Sequence, residues 1–349
     1  MKKMMAFGIV LMFCFSCFAQ GQNNNSLLWR IKNNKDDNVS YLFGTIHLPQ
    51  KKFVVYSDSV YEAIQNAKKF YNEVDLLNQS MFGNPELLEF FTEKGKYFDS
   101  IQKTDSWRRF IHRINKRYNV ELDPNNLIEF VEFGQKIMSE TYGPEDGVTL
   151  PDMMLAQHAL MLGKQTGGIE TMLLQYKMIY GILDARLQDT TMALEDETNL
   201  MNHMKDFYLV ENVDSIGKIV DNINPSYRKI VFYDRNKTMA DSIEKYVSIE
   251  PSFFAVGVGH LGGNMGLITL LRKKGFVVTP ILSKNKMSIL VVNNMMKMSN
   301  EKNEAKAEAV KDEAVKIDLM DVPPPPPPKE KPPKVEMTPA TKGKVKGKQ

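Results

Sequence analysis

Two apolar runs in this chain end in the same way. "YLFGTIHLP" (Tyr41–Pro49) and "FFAVGVGHLGG" (Phe253–Gly263) each pass from strand-like residues into a glycine, and a histidine follows three positions later. A short continuous apolar run bounded by turn residues reads as a fully buried strand. Glycine at its end lets the chain turn sharply and lets another group approach the backbone. A histidine just beyond then projects into the crevice at the C-terminal edge of a parallel sheet, where open α/β folds bind ligands. For His47 and His260 to share that crevice, segments more than two hundred residues apart must lie in one sheet. Few folds meet that demand.

The surrounding pattern points to how it is met. "LLWRI" and "VSYLFG" flank the polar "NNKDDN" (Asn33 to Asn38), which reads as a hairpin. "SDSVYEAIQNAKKF" (Ser57 to Phe70) carries Val60, Ile64 and Ala67 at helical spacing, with Ser57 or Asp58 placed to cap it. "FYNEVDL" (Phe70 to Leu76) then reads as a short strand, completing a βαβ unit with the expected right-handed crossover. From about residue 78 to 245 the pattern is mostly helical, including "RRFIHRINKRY", "PDMMLAQHALMLGKQ", "ETNLMNHMKDFYLV" and "DRNKTMADSIEKYV", with a short strand-like "GIE". After Pro251 strands return: "FFAVGVGH", a glycine-rich turn, the helix "MGLITLLRKKG" and a last strand "FVVTPIL". The expectation is an α/β fold with a central mixed sheet built from both ends of the chain and a large helical insertion between them.

The termini differ in kind from this body. "MKKMMAFGIVLMFCFSCFAQ" has a basic start and an apolar stretch of about a dozen residues, the pattern of a secretory signal peptide and too short to span a bilayer. Cleavage after Ala19 would leave Gln20 first; acylation of Cys17 is the alternative, although the expected leucine three residues before that cysteine is absent. Both cysteines, Cys14 and Cys17, lie in this segment. A chain cut after Ala19 therefore has no disulfide, no cysteine nucleophile and no thiolate metal site. Any metal must be held by His, Asp or Glu.

Residues 300–349 read as a disordered tail: an Ala/Glu/Lys segment, then "PPPPPPKEKPPK" in polyproline II, then "KGKVKGKQ". Their most direct reading is an extended spacer. With 7 lysines against 2 glutamates beyond residue 321, this end, like a lipidated Cys17, offers a route to weak envelope association. Setting aside the leader's 2 lysines and the 11 basic and 9 acidic residues after residue 300, the body holds 32 basic and 33 acidic residues. That balance gives no electrostatic case for nucleic acid. The domain reading is thus a leader at 1–19, one domain at 20–299 with its insertion at about 78–245, and the tail.

Glu73 in "FYNEVDL" is the third candidate group, on a strand expected to neighbour the first. Two imidazoles and one carboxylate suit a first-row divalent ion with an open water position, which would lower the water's pKa and polarise a scissile carbonyl. Asp75 shares Glu73's face as a group supporting the ligands from behind or as a cap, and Glu170 in "GGIET" stands at a strand-to-helix turn as a further carboxylate or a capping aid. Each of these residues also has a structural reading: a hydrogen-bonded strand-end histidine, or a glutamate paired with a lysine. His112, His158 and His203 fall inside helical patterns and read as structural, and the 22 methionines suit core gap-filling.

Taken in order, "YLFGTIHL", "FYNEVDL", "LPDMMLAQHALMLGKQTGGIETMLLQ", "RN" at Arg235–Asn236 and "FFAVGVGHLGGNMGLITLLRKKGF" resemble the TraB/GumN family, which includes the Tiki-type metalloproteases. The likeness runs from about Leu27 to Leu282. It implies a fold related to the erythromycin-esterase and ChaN-like group, with a sheet split by a helical insertion. It implies a metal-dependent proteolytic site at His47, His260 and Glu73, a second acidic position at Glu170, and an arginine at Arg235 that pairs with Glu170 or stabilises an oxyanion.

The resulting expectation is an exported hydrolase in the periplasm or outside the cell, most simply a peptidase acting on a peptide or protein. It would use Mn, Co or Zn held by His47, Glu73 and His260, with Glu170 completing the shell or acting as general base and Arg235 orienting substrate or carboxylate. Two alternatives stand beside it. One is a metal-independent, esterase-like hydrolase with His47 as general base and Glu73 orienting it. The other is a non-enzymatic haem- or peptide-binding module using the same crevice, with Tyr41 or Tyr71 as a further haem ligand.

Overall fold

A computed structural model describes residues 26–33, 38–75, 77–78, 84–143, 147–188, 195–282, 285–302 and 304. The leader, Cys14, Cys17, the centre of the "NNKDDN" turn and nearly all of the tail lie outside the described residues. Two compact units are distinguished, 1–296 and 297–349, and the described residues of the second are helical.

The hairpin expected at the start forms. β1 (Leu28–Lys32) pairs antiparallel with β2 (Val39–Thr45), Trp29 opposite Leu42 and Ile31 opposite Ser40. The short strand β3 (Val55–Ser57) leads into the helix α1 (Asp58–Asn66), which buries Val60, Ala63 and Ile64. β4 (Lys69–Asn72) follows. Near the other end of the domain, β6 (Ser252–Gly257) has all six residues buried. β5 (Gln165–Gly168), from within the helical region, and β7 (Val277–Pro280) complete a six-stranded mixed sheet in the order β5-β4-β6-β2-β1-β7. β2, β6, β4 and β5 run parallel, and β1 runs against its neighbours β2 and β7.

One expectation is corrected here. β4 does not neighbour β2, because β6 lies between them. The reason is physical: Phe253, Phe254, Ala255 and Val256 are apolar on both faces, and a strand of that kind is stable only between two partners with both faces covered. Phe253 stacks on Phe70 of β4, their ring centroids 5.3 Å apart, and lies 6.1 Å from Phe43 of β2. A second, two-stranded sheet of β3 with β8 (Lys286–Ser288) was not anticipated.

Helices make up the rest. α2 (Pro85–Ile101), α3 (Asp105–Tyr118) and α4 (Leu127–Tyr142) enclose a core of their own around Trp107, Phe110, Ile111 and Ile114. Each has a side-chain cap at its start: Asn84 accepts from Glu86 N, Thr104 from Trp107 N and Asn126 from Glu129 N. α5 (Pro151–Met161) packs on β4 and β5, and α6 (Met172–Gln188) leads away from β5. α7 (Glu195–Leu209), α8 (Val213–Asn222), α9 (Pro225–Arg228) and a π-turn (Lys229–Tyr233) precede α10 (Asp234–Val247), which packs on β6. α11 (Leu267–Lys273) connects β6 to β7. No helix among the described residues is long and apolar enough to cross a membrane.

Candidate active site

Strand register brings the distant segments together. In the parallel pair β2–β6, Gly44 lies opposite Val256 and Thr45 opposite Gly257. His47 follows two residues after the end of β2, and His260 ends a short 3-10 turn (Val258–His260) after β6. On the other flank β4 pairs with β6 and stops at Asn72, which places Glu73 just past the strand and not inside it. Glu170 N donates to Glu73 O at 2.7 Å, so the β4–β5 pairing continues beyond both strands and aligns their two glutamates. Gly44 permits the close approach: a Cβ there would stand 3.2 Å from Val258 Cα and 2.7 Å from Leu261 Cδ1.

The point of convergence is Gly257. A Cβ built on it would meet Glu73 Oε1 at 3.1 Å, His47 Nε2 at 3.4 Å and the His260 ring at 3.5 Å. Gly257 N itself donates to Glu73 Oε1 at 2.7 Å. The guanidinium of Arg235, second residue of α10, holds both carboxylates, with Nη2 2.5 Å from Glu73 Oε2 and 2.6 Å from Glu170 Oε2. Gln175 Nε2 donates to the same two oxygens, at 3.2 and 3.0 Å. The structure thus brings all five sequence-predicted residues to one sheet edge. Asp75 lies apart, accepting from Thr166 Oγ1 at 3.4 Å. His112 and His203 are exposed on α3 and α7, and His158 is buried in α5.

Three contributors were missed. Asp152, on the first turn of α5, is buried, sits 2.7 Å from His47 Nδ1 through Oδ2, and accepts from the Thr45 hydroxyl through Oδ1. Asn236 Oδ1 lies 2.6 Å from His260 Nδ1, and its Nδ2 donates to Met265 O at 2.7 Å, which fixes the amide's orientation. Gln175 is the third. Asp152 and Asn236 lie within stretches quoted above, "LPDMMLAQHALMLGKQTGGIETMLLQ" and "RN" at Arg235–Asn236, but nothing in their spacing said which way they point.

These neighbours set the charge states. Asp152, above all, pushes the His47 imidazole up to about 9; burial opposes this, although half of the side chain is open to the cleft. Burial drives His260 down to about 3 against the attraction of Glu73, with Arg235 and His47 adding to the fall. Burial alone would raise Glu73, but Arg235, His260, His47 and the Gly257 amide outweigh it and hold the carboxyl far below the usual carboxylate range. Glu170 is pushed up by burial in spite of its bonds to Arg235. Two carboxylates share one guanidinium, and the more deeply covered one yields.

Among the described residues, no three His, Cys, Asp or Glu side chains already stand as a ready cluster for a metal ion. The donor chemistry nevertheless fits one. Both imidazoles direct Nδ1 at an oxygen, Asp152 for His47 and Asn236 for His260, which leaves Nε2 to face an ion; on His260 it carries a lone pair, and on His47, charged at neutral pH, an ion would take the place of the Nε2 proton. Glu73 presents Oε1 on the same side while Arg235 neutralises Oε2. Arg235 Nη1 lies 3.3 Å from His260 Nε2 and is the group a cation would have to displace. Over this centre lies a cavity of about 340 Å³, and a second of about 260 Å³ adjoins it; His47, Glu73 and Gln175 line both.

Fold and site together define an α/β protein with an ionisable centre of histidine, carboxylate and arginine at the C-terminal edge of a mixed sheet. The chain belongs to the TraB/PrgY/gumN family, whose model matches residues 27–280. It is similar to the metalloprotease TIKI2 of Danio rerio, 25% identical over 319 residues covering 73% of this chain and 60% of that protein. It is also similar to the metalloproteases TIKI1 of Danio rerio (23% identical, 73% of this chain, 63% of that protein) and of Homo sapiens (22%, 73% and 61%). The chain therefore spans about three fifths of the length of these curated relatives.

Proposed function

We propose that this protein is an exported metal-dependent hydrolase that cleaves peptide bonds, with His47, Glu73 and His260 as the residues that hold the ion. The observation that carries the reading is the convergence of His47 Nε2, Glu73 Oε1 and the His260 ring around Gly257, each held by a polar partner: the Asp152 carboxylate beside His47, Arg235 on Glu73 Oε2 and Asn236 on His260. The relatives named as metalloproteases support hydrolysis of a peptide or protein. Mn²⁺, Co²⁺ and Zn²⁺ all suit such nitrogen and oxygen donors, and the ion's contribution would be Lewis acidity toward water and the scissile carbonyl.

The chain's own residues do the positioning. Asp152 and Asn236 set the tautomers of the two histidines. Arg235 and Gln175 hold Glu73 in place, and Arg235 orients this carboxylate in preference to an oxyanion because both of its carboxylate partners already engage it. Glu170, with its side chain fully covered, acts through Arg235 and does not face substrate as a general base. Export rests on the leader at 1–19, released after Ala19 or retained through an acylated Cys17, and residues 300–349 form a spacer beyond a single domain at 20–299.

Calorimetric titration of the metal-free protein with each ion should show one site, lost in His47→Ala and His260→Ala together with cleavage of a quenched fluorescent peptide pool. Failure of any ion to bind, or a His47→Ala variant that cleaves like the wild type, removes the mechanism. A metal-independent hydrolase is the second reading, favoured by the Asp152–His47 pair, which resembles a general base and its orienting carboxylate. Cleavage that survives exhaustive chelation but is lost in Asp152→Asn would establish that reading instead.

A further inference from the structure

The two cavities at the sheet edge meet at His47, Glu73 and Gln175 and diverge from there. The larger lobe is walled by Met178, Leu200, Met201, Met204, Val231 and Phe232; the smaller by Leu150, Met172, Tyr176 and Ile179. α6 runs astride the waist, sending Gln175 to the centre, Met178 to one side, and Tyr176 and Ile179 to the other. Among the described residues, every charged or histidine side chain lining either lobe belongs to the centre itself: His47, Glu73, Asp152, Arg235 and His260. An apolar cavity of about 150 Å³ accommodates benzene. At about 340 and 260 Å³, each lobe therefore holds a large side chain.

An unmet polar atom also lies behind the wall of the smaller lobe. Asn72 is 4% exposed and lines this lobe; its Oδ1 is itself closed to solvent and has no hydrogen-bond partner among the described residues. A buried acceptor left unpaired is costly, and a donor arriving with a ligand relieves it. A peptide main chain supplies such a donor at every residue other than proline.

Resting on the peptidase reading, we infer that the cleft selects an extended peptide segment with uncharged, apolar side chains on both sides of the bond placed over His47 and Glu73, one in each lobe, and that the Asn72 amide turns into the smaller lobe so that its Oδ1 receives one of the peptide's main-chain N–H groups. The flexible methionines of the larger lobe adapt to several apolar shapes, so selection there is by polarity more than by outline. Selection on both sides makes this a cleft for the interior of a chain and not for a lone terminal residue.

The test reads binding and not turnover. Acetylated, amidated, fluorescein-labelled octapeptides with a central Leu-Leu, Glu-Leu or Leu-Glu pair are titrated with the full chain, with and without Mn²⁺, by fluorescence anisotropy. Leu-Leu should bind at least about tenfold more tightly than either peptide carrying a glutamate, because each lobe would bury that charge unpaired. Ile179→Lys, at a position more than half exposed and so tolerant of the change, should restore Glu at one central position. Met201→Lys should restore it at the other, and Met201→Gln serves as the uncharged control. N-methylation of one central amide should weaken binding to the wild type but not further weaken it in Asn72→Leu. Equal affinity for all three peptides, no binding at all, or both lysine variants rescuing the same position overturns the inference. Peptides bound in this pattern but never cut leave it standing and remove the peptidase reading.

Discussion

Arg235 shows how much of this site is held by one side chain. Its guanidinium is 10% exposed, and the Glu170 side chain it holds is fully covered. Removing one partner of a buried ion pair leaves the other uncompensated. Arg235→Ala should therefore lower the unfolding free energy by about 3–5 kcal/mol, read from urea denaturation. In the Arg235→Ala/Glu170→Gln double variant part of that loss should return, because a neutral amide no longer needs the cation; a fully additive cycle would refute the coupling. His158 offers an independent test through pH. Burial lowers its pKa below the ordinary value, against the opposing bond of Nδ1 to Asn293 Oδ1 at 2.7 Å. The folded state thus takes up a proton less readily than the unfolded state, so this contribution is complete above pH ~6.5 and is lost as pH falls below it. Between about pH 7.5 and 5.5 the wild type should lose more stability than His158→Gln does, and parallel slopes would exclude the assignment. At this scale the sequence was legible where a residue type coincided with a strand end, as at His47, Glu73 and His260. Asp152 and Asn236 were hidden because their roles depend on the direction of a helix face relative to a sheet, which local spacing does not encode.

Among the elements, the crossing of α8 with the loop after His260 leaves the least room. A Cβ on Gly217 would stand 2.3 Å from Gly263 N and 2.6 Å from the Gly262 carbonyl carbon, both backbone atoms that cannot rotate away. Gly217→Ala should force the helix off this loop at a cost of roughly 1–3 kcal/mol or more, and metal affinity at the proposed site should fall as His260 shifts. Gly95, exposed in α2 with nothing within 4 Å of its would-be Cβ, is the contrasting case. Gly95→Ala should stabilise by roughly 0.5–1 kcal/mol through helix propensity. A thermal melt of both variants decides the matter, and equal shifts would show that packing at Gly217 is looser than described. The element order itself was readable from apolar runs and turn residues, including the return of strands after Pro251. Beyond the first hairpin, strand neighbours were not: the slot of β6 between β2 and β4 depends on which strand most needs two covered faces, a competition among distant segments. The β3–β8 pair escaped for a related reason, since three-residue strands carry almost no periodic signal.

Across the domain, helices α2, α3 and α4 form an arm with a core distinct from that of the sheet. Trp107 is wholly buried in it and donates from Nε1 to Pro124 O at 2.6 Å. Leu183 and Leu187, at the far end of α6, pack against this arm core, whereas Met172, Gln175, Tyr176 and Ile179 at the near end line the cleft. α6 is thus both a cleft wall and the arm's attachment. Segments with separate cores open as separate cooperative units, each at its own free energy. Trp107→Ala removes the largest side chain from the smaller core and should cost about 3–5 kcal/mol, more than a satellite core of this size readily supplies. Hydrogen exchange should then show amides of α2–α4 losing protection, while those of β2 and β6 keep theirs. Divalent-ion affinity of the proposed site, which lies at the sheet edge, should stay within about threefold of the wild type, whereas binding of a Leu-Leu peptide in the proposed cleft should weaken further because its wall on α6 has lost its far anchor. Loss of protection spreading uniformly into β6 would mean that arm and sheet unfold together, and that the second core is no independent unit.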